Sequence, residues 1–486
     1  MYFDFQNILG DLITGKNTDG GNYSGVTCDS RKVIPGSIFV AIKGFLADGH
    51  DYISSAVSSG AAAVVANHLP AGVPGVEVKD SYLACALLQR HFYGTPDLEL
   101  DLFGVTGTNG KTTSAYLLEH ILSSCNIPCG LLSTIECHFG NGREKSNSTT
   151  PDSAGLYLAF RRMSDSGLKA CSFELSSHAL HQSRAGGAKL RGVILTNITR
   201  DHLDYHGTAE NYFQAKKLAF TRLLDPDTGV AVINVDDPGG ERMARELAGI
   251  CRVVTFGSTP AADWLLTDVD SNIERASFIL KNYRKELKVS TALFGRHNME
   301  NLAGAILLAI EYGIDDEKVL ESVANFVRIP GRLERYIDSD GVFYFVDYAH
   351  TPDALERVLG TLKENTRGRL FSVFGAGGNR DRGKRPQMGL AASKYADVLV
   401  VTSDNPRDEK PEAIISDIVS GIPEGREFTV IPDRREAIRY AADNSKNGDV
   451  VLISGKGHED YQEIAGVKYN FSDAVELGKI LEELNK

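Results

Sequence analysis

No apolar run in this chain approaches the length needed to span a bilayer, and the N-terminal MYFDFQNILG has neither the basic start nor the continuous apolar core of a signal peptide. These absences predict a cytoplasmic protein with no membrane insertion. Cysteine is sparse as well. The seven cysteines are scattered, form no C-x-x-C, and leave the nearest pair, Cys125 and Cys129, without a second pair to complete a zinc site. They read as small buried apolar residues of a reducing compartment. Positive charge is in deficit: 52 Lys and Arg face 64 Asp and Glu, for a formal net charge of −12. That balance argues against nucleic acid as a partner, because neutralising phosphates needs clustered basic side chains. A small anionic substrate needs only a local pocket and stays open. There is no internal repeat and no low-complexity tract.

What is present alternates. The 486 residues leave room for roughly two to four domains with ample buried core. A first stretch, residues 1–98, has short strand-like runs (SIFVAI, AAVVA) and a helix near Tyr52 to Ser59, and ends in YGTPDLEL, a linker by its Gly and Pro. A second, 99–330, strings the buried runs LFGVT, GLLST, ACSFEL, GVILTN, GVAVIN and CRVVTF between amphipathic segments, the pattern of a mostly parallel sheet covered on both faces. After a break at RIPGRLERY, residues 331–486 repeat the alternation with VFYFVDY, RLFSVFGAGG, DVLVVT, FTVI and DVVLISGKG. The reading is an α/β chain of three domains: a small N-terminal α/β domain, a central P-loop ATPase-like domain and a C-terminal Rossmann-like, doubly wound domain. Sites in open α/β sheets lie beyond the C-terminal ends of the strands, so the polar residues after these runs carry the argument.

One further absence is informative. In GVTGTNGKTT the strict phosphate-loop pattern G-x-x-x-x-G-K-[ST] is not met, because Val105 stands where the first Gly belongs. The physics survives its loss. Gly107 and Gly110 let backbone N–H groups approach phosphate oxygens, the helix that follows (Thr113 to Ser124) adds a partial positive charge, Lys111 reaches outer phosphates, and Thr112 can ligate magnesium.

Beyond the other strands lie ELSSHALHQSR, with Glu174, Ser176, Ser177, His178 and Arg184, and TNITRDHLDYHG, with Asn197, Arg200, Asp201, His202, Asp204 and His206. A His, Asp and Glu cluster permits zinc, but beside a phosphate loop magnesium is the better match. The helical NYFQAKKLAF carries Lys216 and Lys217, and periodicity does not choose between them. GRHNMENLAGA offers His297, Asn298 and Asn301 at the head of a helix, where capping alone accounts for asparagine. PGRLE offers Arg332, and FVDYAHTPDAL offers Asp347, Tyr348 and His350, with Pro352 opening the next helix. The last domain adds GAGGNRDRGKR, TSDNPRDEKP and SGKGHEDYQ. There Arg380, Arg382, Lys384, Arg385 and Arg407 make a cationic pocket suited to a carboxylated substrate, and Lys456, His458 and Glu459 border it.

These motifs, with TCDSRKVIPGSIFVAIKG and STTPDS, span essentially the whole chain in order and resemble the Mur ligases, ATP-dependent amino-acid-adding enzymes of peptidoglycan precursor synthesis. The likeness is greatest to the diaminopimelate-adding members. In that family the G-T-N-G-K-T variant of the loop is normal. The resemblance implies ATP and Mg2+ as cofactors, UDP-N-acetylmuramoyl-L-Ala-D-Glu and meso-diaminopimelate as substrates, and a monomer. It implies that Gly107, Thr108, Asn109, Gly110, Lys111, Thr112, Thr113, Asn298, Asn301, Arg332 and Asp347 contact ATP, and that Thr112, Glu174 and His202 hold the metal. Lys216, matching the lysine of Y-x-x-A-K, would be carbamylated and so add an anion to the metal site. Ser30 would contact uridine, and Thr149, Thr150, Ser176 and Arg184 the muramoyl dipeptide. Arg380, Asp404, Asn405, Pro406, Arg407, Gly455 and Glu459 would bind diaminopimelate, and Lys111, Lys216, His202 and His350 would be catalytic. Lysine-adding members lack the equivalent of Arg407. Folylpolyglutamate synthetases share the loop and the reaction type but are not expected to carry the uridine segment or DNPR. A mechanical nucleotide switch has no use for a second substrate pocket.

Overall fold

The computed structural model describes residues 1–44, 47–95, 98–140 and 142–484. Contacts divide the chain into two units: Met1–Thr267 with Ile279–Val289 and Glu300–Val323, and Asp268–Phe278 with Ser290–Met299 and Ala324–Lys486. Among the described residues no helix is long and apolar enough to cross a membrane.

The first unit holds a five-stranded sheet in the order Ile13–Lys16, Gly75–Val78, Ala63–Ala66, Ile38–Val40, Val26–Thr27, parallel except for its first strand. The helix Ser81–Phe92 buries Ala84, Cys85 and Leu88 in the core with Phe5, Val40 and Val65. Beyond it lies an eleven-stranded sheet whose centre runs Cys129–Leu132, Ala170–Glu174, Asp101–Thr106, Leu190–Leu195, Val230–Asn234, Arg252–Gly257, all parallel. These are the six apolar runs of the second stretch. Asp101–Thr106 lies between Ala170–Glu174 and Leu190–Leu195, with Glu174 opposite Val105 and Leu195 opposite Thr106. The loops that follow all three strands therefore emerge side by side.

Several strands were not legible as apolar runs. Glu136–His138 pairs antiparallel with Arg143–Lys145, and Trp264–Ser271, Ala276–Lys281 and Glu286–Thr291 extend the other end of the sheet order. In Glu286–Thr291 buried and exposed residues alternate strictly, because one face meets solvent and only every second side chain needs to be apolar. The helix after the phosphate loop begins at Lys111, two residues before the expected Thr113, because Gly110 at φ 83° turns the strand directly into it.

The second unit carries a six-stranded sheet in the order Glu334–Ile337, Phe343–Asp347, Val450–Ser454, Leu370–Phe374, Val398–Val401, Thr429–Val430, antiparallel only at its first strand. Helices cover both faces over two separate apolar clusters, which is the doubly wound arrangement. Pro352 does open a helix, Pro352–Asn365, from Thr351 as cap. The loops after Asp347, Phe374, Val401 and Ser454 share one edge of this sheet.

The cysteine expectation needs one correction. Cys85, Cys129, Cys137 and Cys171 are buried, but Cys125 and Cys251 are partly accessible and Cys28 is exposed, since it follows the two-residue edge strand Val26–Thr27 rather than lying in a core.

Candidate active site

The phosphate loop is built from close backbone approaches. A Cβ at Gly107 would lie 1.8 Å from Thr196 Oγ1, and one at Gly110 would lie 2.1 Å from Asn301 Oδ1, so neither position accepts a side chain. Thr108 N donates to Asn197 O at 2.9 Å, Asn109 N donates to Asn197 Oδ1 at 3.0 Å, and Thr196 Oγ1 donates to Asn109 O at 2.5 Å. The neighbouring TNITR loop thus holds the phosphate loop open. Lys111 Nζ donates to Gly107 O and Thr108 O, both at 2.9 Å, which keeps the ammonium over the loop. Thr112 and Thr113 are buried in the helix's first turn. Thr112 Oγ1 donates to Glu174 Oε1 at 2.9 Å, and the same oxygen accepts from Thr134 N at 2.7 Å.

A cavity of about 260 Å³ opens beside this loop, lined by Lys111 and Gly107 together with Thr149, Thr150, Ser176, Arg184, His202 and Lys216. Arg184 Nη1 donates to Thr150 O at 2.6 Å, and Thr150 Oγ1 donates to Glu174 O at 2.7 Å, so the STTPDS and ELSSHAL loops form one wall. The two lysines face different partners. Lys216 is fully buried, donates to Gly107 O at 2.7 Å and stands 4.7 Å from the centre of the Tyr212 ring. Lys217 points elsewhere, to Glu246 at 2.9 Å. Burial, and then the charge of Lys111, push the Lys216 amine well below its ordinary pKa. Tyr212 also ties its hydroxyl to Thr108 Oγ1 at 3.0 Å, which links the lysine's helix to the phosphate loop. The helix Ala209–Leu218 passes directly into a π-helical turn, Ala219–Leu223.

Four histidines crowd the far side. His178 lies 4.9 Å from His202 and 5.6 Å from His206, and His181 lies 5.9 Å from His206, ring centre to ring centre. Burial, then the neighbouring imidazoles, push His206 down to about 4. His202 itself is half-exposed in a left-handed conformation at φ 50°. Among the described residues no three His, Cys, Asp or Glu converge as a metal cluster. The Thr112 hydroxyl and the Glu174 carboxylate are hard oxygen donors in contact, a set that suits magnesium, which keeps several of its own waters, rather than zinc. Ser30 lies apart from this cavity's lining, in the short turn Ser30–Lys32 where Asp29 accepts from Arg31 N.

Asn298 and Asn301 are not helix caps. Their helix, Arg296–Glu311, begins before both, and Asn298 Nδ2 instead donates to Phe294 O at 2.7 Å. Asn301 is the residue packed on Gly110.

In the second unit Asp347 is buried, and its two oxygens accept from Leu333 N at 2.7 Å and Ala349 N at 2.8 Å, joining the PGRLE loop to the strand end. Burial raises its pKa and nearby Arg332 opposes the rise. Arg332 stands over the Tyr348 ring at 5.1 Å, with its Nε buried and without a hydrogen-bond partner. His350 is exposed, its Nδ1 2.7 Å from Tyr348 O. At the same sheet edge the DNPR and GKGHEDYQ loops interlock through Asn405, whose Oδ1 accepts from Lys456 Nζ at 2.9 Å and whose Nδ2 donates to Glu459 Oε2 at 2.8 Å. Gly455 abuts Asp404, leaving no room for a Cβ, which would stand 2.5 Å from Oδ2. Pro406 O packs as closely on Gly378, where a Cβ would come within 1.9 Å.

One expectation for this pocket is corrected. Arg385 is not a pocket cation: it is fully buried and spends its charge on Glu409 at 2.7 Å and Asp417 at 2.9 Å, while Arg382 pairs with Asp417 at 3.1 Å. Arg407 does not pair with its sequence neighbours Asp408 and Glu409. Arg407 instead meets Glu463 Oε2 at 3.2 Å and donates to Gly378 O at 2.7 Å, while Arg380 is exposed on the adjoining loop. Glu463 was missed. It lies on the hairpin Tyr461–Ile464 with Val467–Asn470, whose two-residue turn Ala465–Gly466 has φ of 49° and 76°. The signal was the pair of four-residue runs YQEI and VKYN either side of Ala-Gly.

Comparisons with known proteins follow the same geography. The chain matches three family descriptions: "Mur ligase family, catalytic domain" over residues 22–93, "Mur ligase middle domain" over 105–309 and "Mur ligase, glutamate ligase domain" over 331–457. It is 40% identical over 484 residues to the UDP-N-acetylmuramoyl-L-alanyl-D-glutamate--2,6-diaminopimelate ligase of Geobacter metallireducens, covering 95% of this chain and 94% of the relative. The ligase of that name from Aquifex aeolicus is 42% identical over 458 residues, covering 94% and 93%. A solved structure of a ligase of the same name superposes with a TM-score of 0.75 at 35% identity over 100% of both chains.

Proposed function

Because this chain belongs to the Mur ligase family, we propose that it is an ADP-forming amide ligase that adds meso-diaminopimelate to the D-Glu side-chain carboxylate of UDP-N-acetylmuramoyl-L-Ala-D-Glu. The observation that carries the reading is the cavity that Lys111 of the phosphate loop lines together with Thr150, Arg184 and Lys216. There a nucleotide phosphate and a substrate carboxylate would meet within reach of Lys111 and Arg184.

The division of labour follows the chain. Residues 1–98 take the UDP-sugar, with Ser30 at the uridine; 99–330 take ATP; and 331–486 take the amino acid. Asn298, Arg332 and Asp347 contribute to the nucleotide, and Arg407, Asn405, Asp404, Gly455 and Glu459 to diaminopimelate. The D-Glu carboxylate oxygen attacks the γ-phosphorus, ADP leaves, and an acyl phosphate results. The amine of diaminopimelate then attacks the acyl carbon, phosphate leaves, and the nitrogen loses its proton. Lys111 neutralises charge on the transferring group, and Thr150, Ser176 and Arg184 fix the carboxylate. Thr112 and Glu174 would hold Mg2+, which supplies further charge neutralisation when bound. Lys216, whose burial favours the neutral amine, is the nucleophile that would attack CO2 and lose a proton to become a carbamate. We place the enzyme in the cytoplasm, as a monomer.

The test is amino-acid-dependent phosphate release from ATP with the UDP-muramoyl dipeptide, read together with product mass when diaminopimelate and L-lysine compete. Diaminopimelate product is expected. Equal use of lysine makes it a lysine-adding ligase, and turnover only with folates and glutamate makes it a folylpolyglutamate-type enzyme.

A further inference from the structure

Two of the seven scattered cysteines meet beside the five-stranded sheet of the first unit. Cys28 follows the edge strand Val26–Thr27 and is exposed, whereas Cys85 is buried in the helix Ser81–Phe92. That helix follows the strand Gly75–Val78 and runs back against the parallel strands, and Gln89 Nε2 sets its register by donating to Val26 O at 2.8 Å. Four residues back along a helix cover about 6 Å, and two residues on along an extended chain cover about 6.6 Å. The two steps match, so Cys85, on the helix face of Gln89, comes opposite Cys28. There the Cys85 thiol donates a hydrogen bond to the Cys28 sulfur.

That bond gives the two thiols different chemistry. It draws Cys28 below the ordinary thiol pKa, against partial desolvation and the Asp152 and Asp29 carboxylates, and together with burial it pushes Cys85 well above. An accessible thiolate is the sulfur that an oxidant meets first, and a buried thiol already bonded to it is placed to resolve the product. Forming a covalent bond draws the sulfurs closer. Cys85 is fixed in a packed helix with Leu88 and Val65, so the movement falls on the exposed segment that carries Cys28, Asp29 and the turn Ser30–Lys32.

We propose that Cys28 and Cys85 form a reversible disulfide with hydrogen peroxide as the oxidant. The Cys28 thiolate attacks one peroxide oxygen, the O–O bond breaks, and the departing hydroxide takes up a proton, leaving a sulfenic acid and one water. The Cys85 sulfur then attacks the Cys28 sulfur, the S–O bond breaks, and the hydroxyl leaves with the Cys85 proton as a second water. Two electrons pass from the thiols to the peroxide, and exchange with a small dithiol returns them. The test is peptide mass after peroxide treatment of the full-length protein and tryptic digestion without reductant. Asn17–Arg31 and Asp80–Arg90, each with one cysteine, are expected as a linked pair that dithiothreitol separates. In Cys85→Ala, Cys28 should instead stop as a sulfenic acid trapped by dimedone. Should that variant unfold, Cys28→Ser, at an exposed position, is expected to leave Cys85 unmodified. The proposal is overturned if folded, peroxide-treated protein yields no linked pair, if Cys28 links mainly to a second chain, or if Cys85 oxidises at the wild-type rate in Cys28→Ser. A further readout rests on the assignment of Ser30 to uridine: the linked protein should show a KM for the UDP-muramoyl dipeptide raised by about threefold or more, reversed by dithiothreitol and absent in Cys28→Ser. Linked protein with an unchanged KM overturns that effect on the uridine segment; a reduced enzyme that never turns over this substrate is instead a failure of the proposed function, and the peptide masses decide the disulfide in either case.

Discussion

Lys216 donates a 2.7 Å hydrogen bond to the carbonyl of Gly107, a residue 109 positions earlier, and so brings a fully buried amine to the phosphate loop. Its pKa is pushed well below the ordinary lysine value by burial and by Lys111. The folded protein therefore disfavours the protonated amine relative to the unfolded chain, and the native lysine costs stability as pH falls below the unfolded value. Lys216→Met is expected to keep or raise Tm at pH 7 while losing at least about a hundredfold in turnover, not restored by bicarbonate and partly restored by short carboxylic acids. Labelling with 13C-bicarbonate should reveal a carbamate carbon that Lys216→Met lacks. Lys217→Ala, which loses only the pair with Glu246, should stay within a few-fold of wild type; the reverse pattern would move the role to Lys217.

Lys111→Met should reduce turnover by about two to three orders of magnitude with a little-changed thermal transition, since its half-buried ammonium is held by the Gly107 and Thr108 carbonyls rather than packed in an apolar core. Steady-state phosphate release and a thermal melt on the same sample decide it. Near-native turnover removes the phosphate-loop assignment.

Arg407 is held by Glu463 and Gly378 O at the edge that Asn405, Lys456 and Glu459 organise. Diaminopimelate differs from lysine by one terminal carboxylate, which a guanidinium can take bidentately; lysine keeps the neighbouring ammonium but offers the guanidinium no anion. Selectivity for diaminopimelate is expected on the order of a thousandfold. Arg407→Ala should lose mainly diaminopimelate turnover. Equal kcat/KM for both amino acids in the unmodified enzyme contradicts this role.

His206 is buried against Ser177, with Nε2 3.0 Å from Oγ, and its pKa lies near 4. Unfolding returns it to the ordinary histidine value of about 6.5. Between these values the unfolded chain binds the extra proton, so stability falls as pH drops from about 6.5 towards 4. Tm measured across that window should decline in wild type and decline less in His206→Gln. Parallel curves would show that another group dominates.

Arg434 and Asp473 form a fully buried pair at 2.7 Å in the second unit. Asp473→Ala should cost about 3–5 kcal/mol in denaturant unfolding, because it strands the guanidinium, and Arg434→Met combined with Asp473→Leu should recover much of that loss. An equal loss in the single and double variants would show that packing, not charge, is what the pair supplies.

The sequence by itself determined the parallel strands and the loops at their ends. Buried parallel strands must be apolar on both faces, so LFGVT, ACSFEL and DVVLIS announce themselves, and polar residues directly after them mark the site edge. It determined the family too, through motifs spread along the whole chain. It did not reveal half-solvated strands such as Glu286–Thr291, where only alternate residues need be apolar. Periodicity did not separate Lys216 from Lys217, and only the family motif pointed to Lys216: adjacent helical residues differ by about 100° in direction, and the position of the neighbouring sheet decides which face meets the loop. The fate of the arginines was likewise a tertiary matter. Arg385 and Arg407 look alike in a list of basic residues, but Glu409 and Asp417 absorb the first into the interior, and a hairpin more than fifty residues further on brings Glu463 to the second. Charge type is written in the sequence; which partner neutralises it depends on distances that exist only after folding.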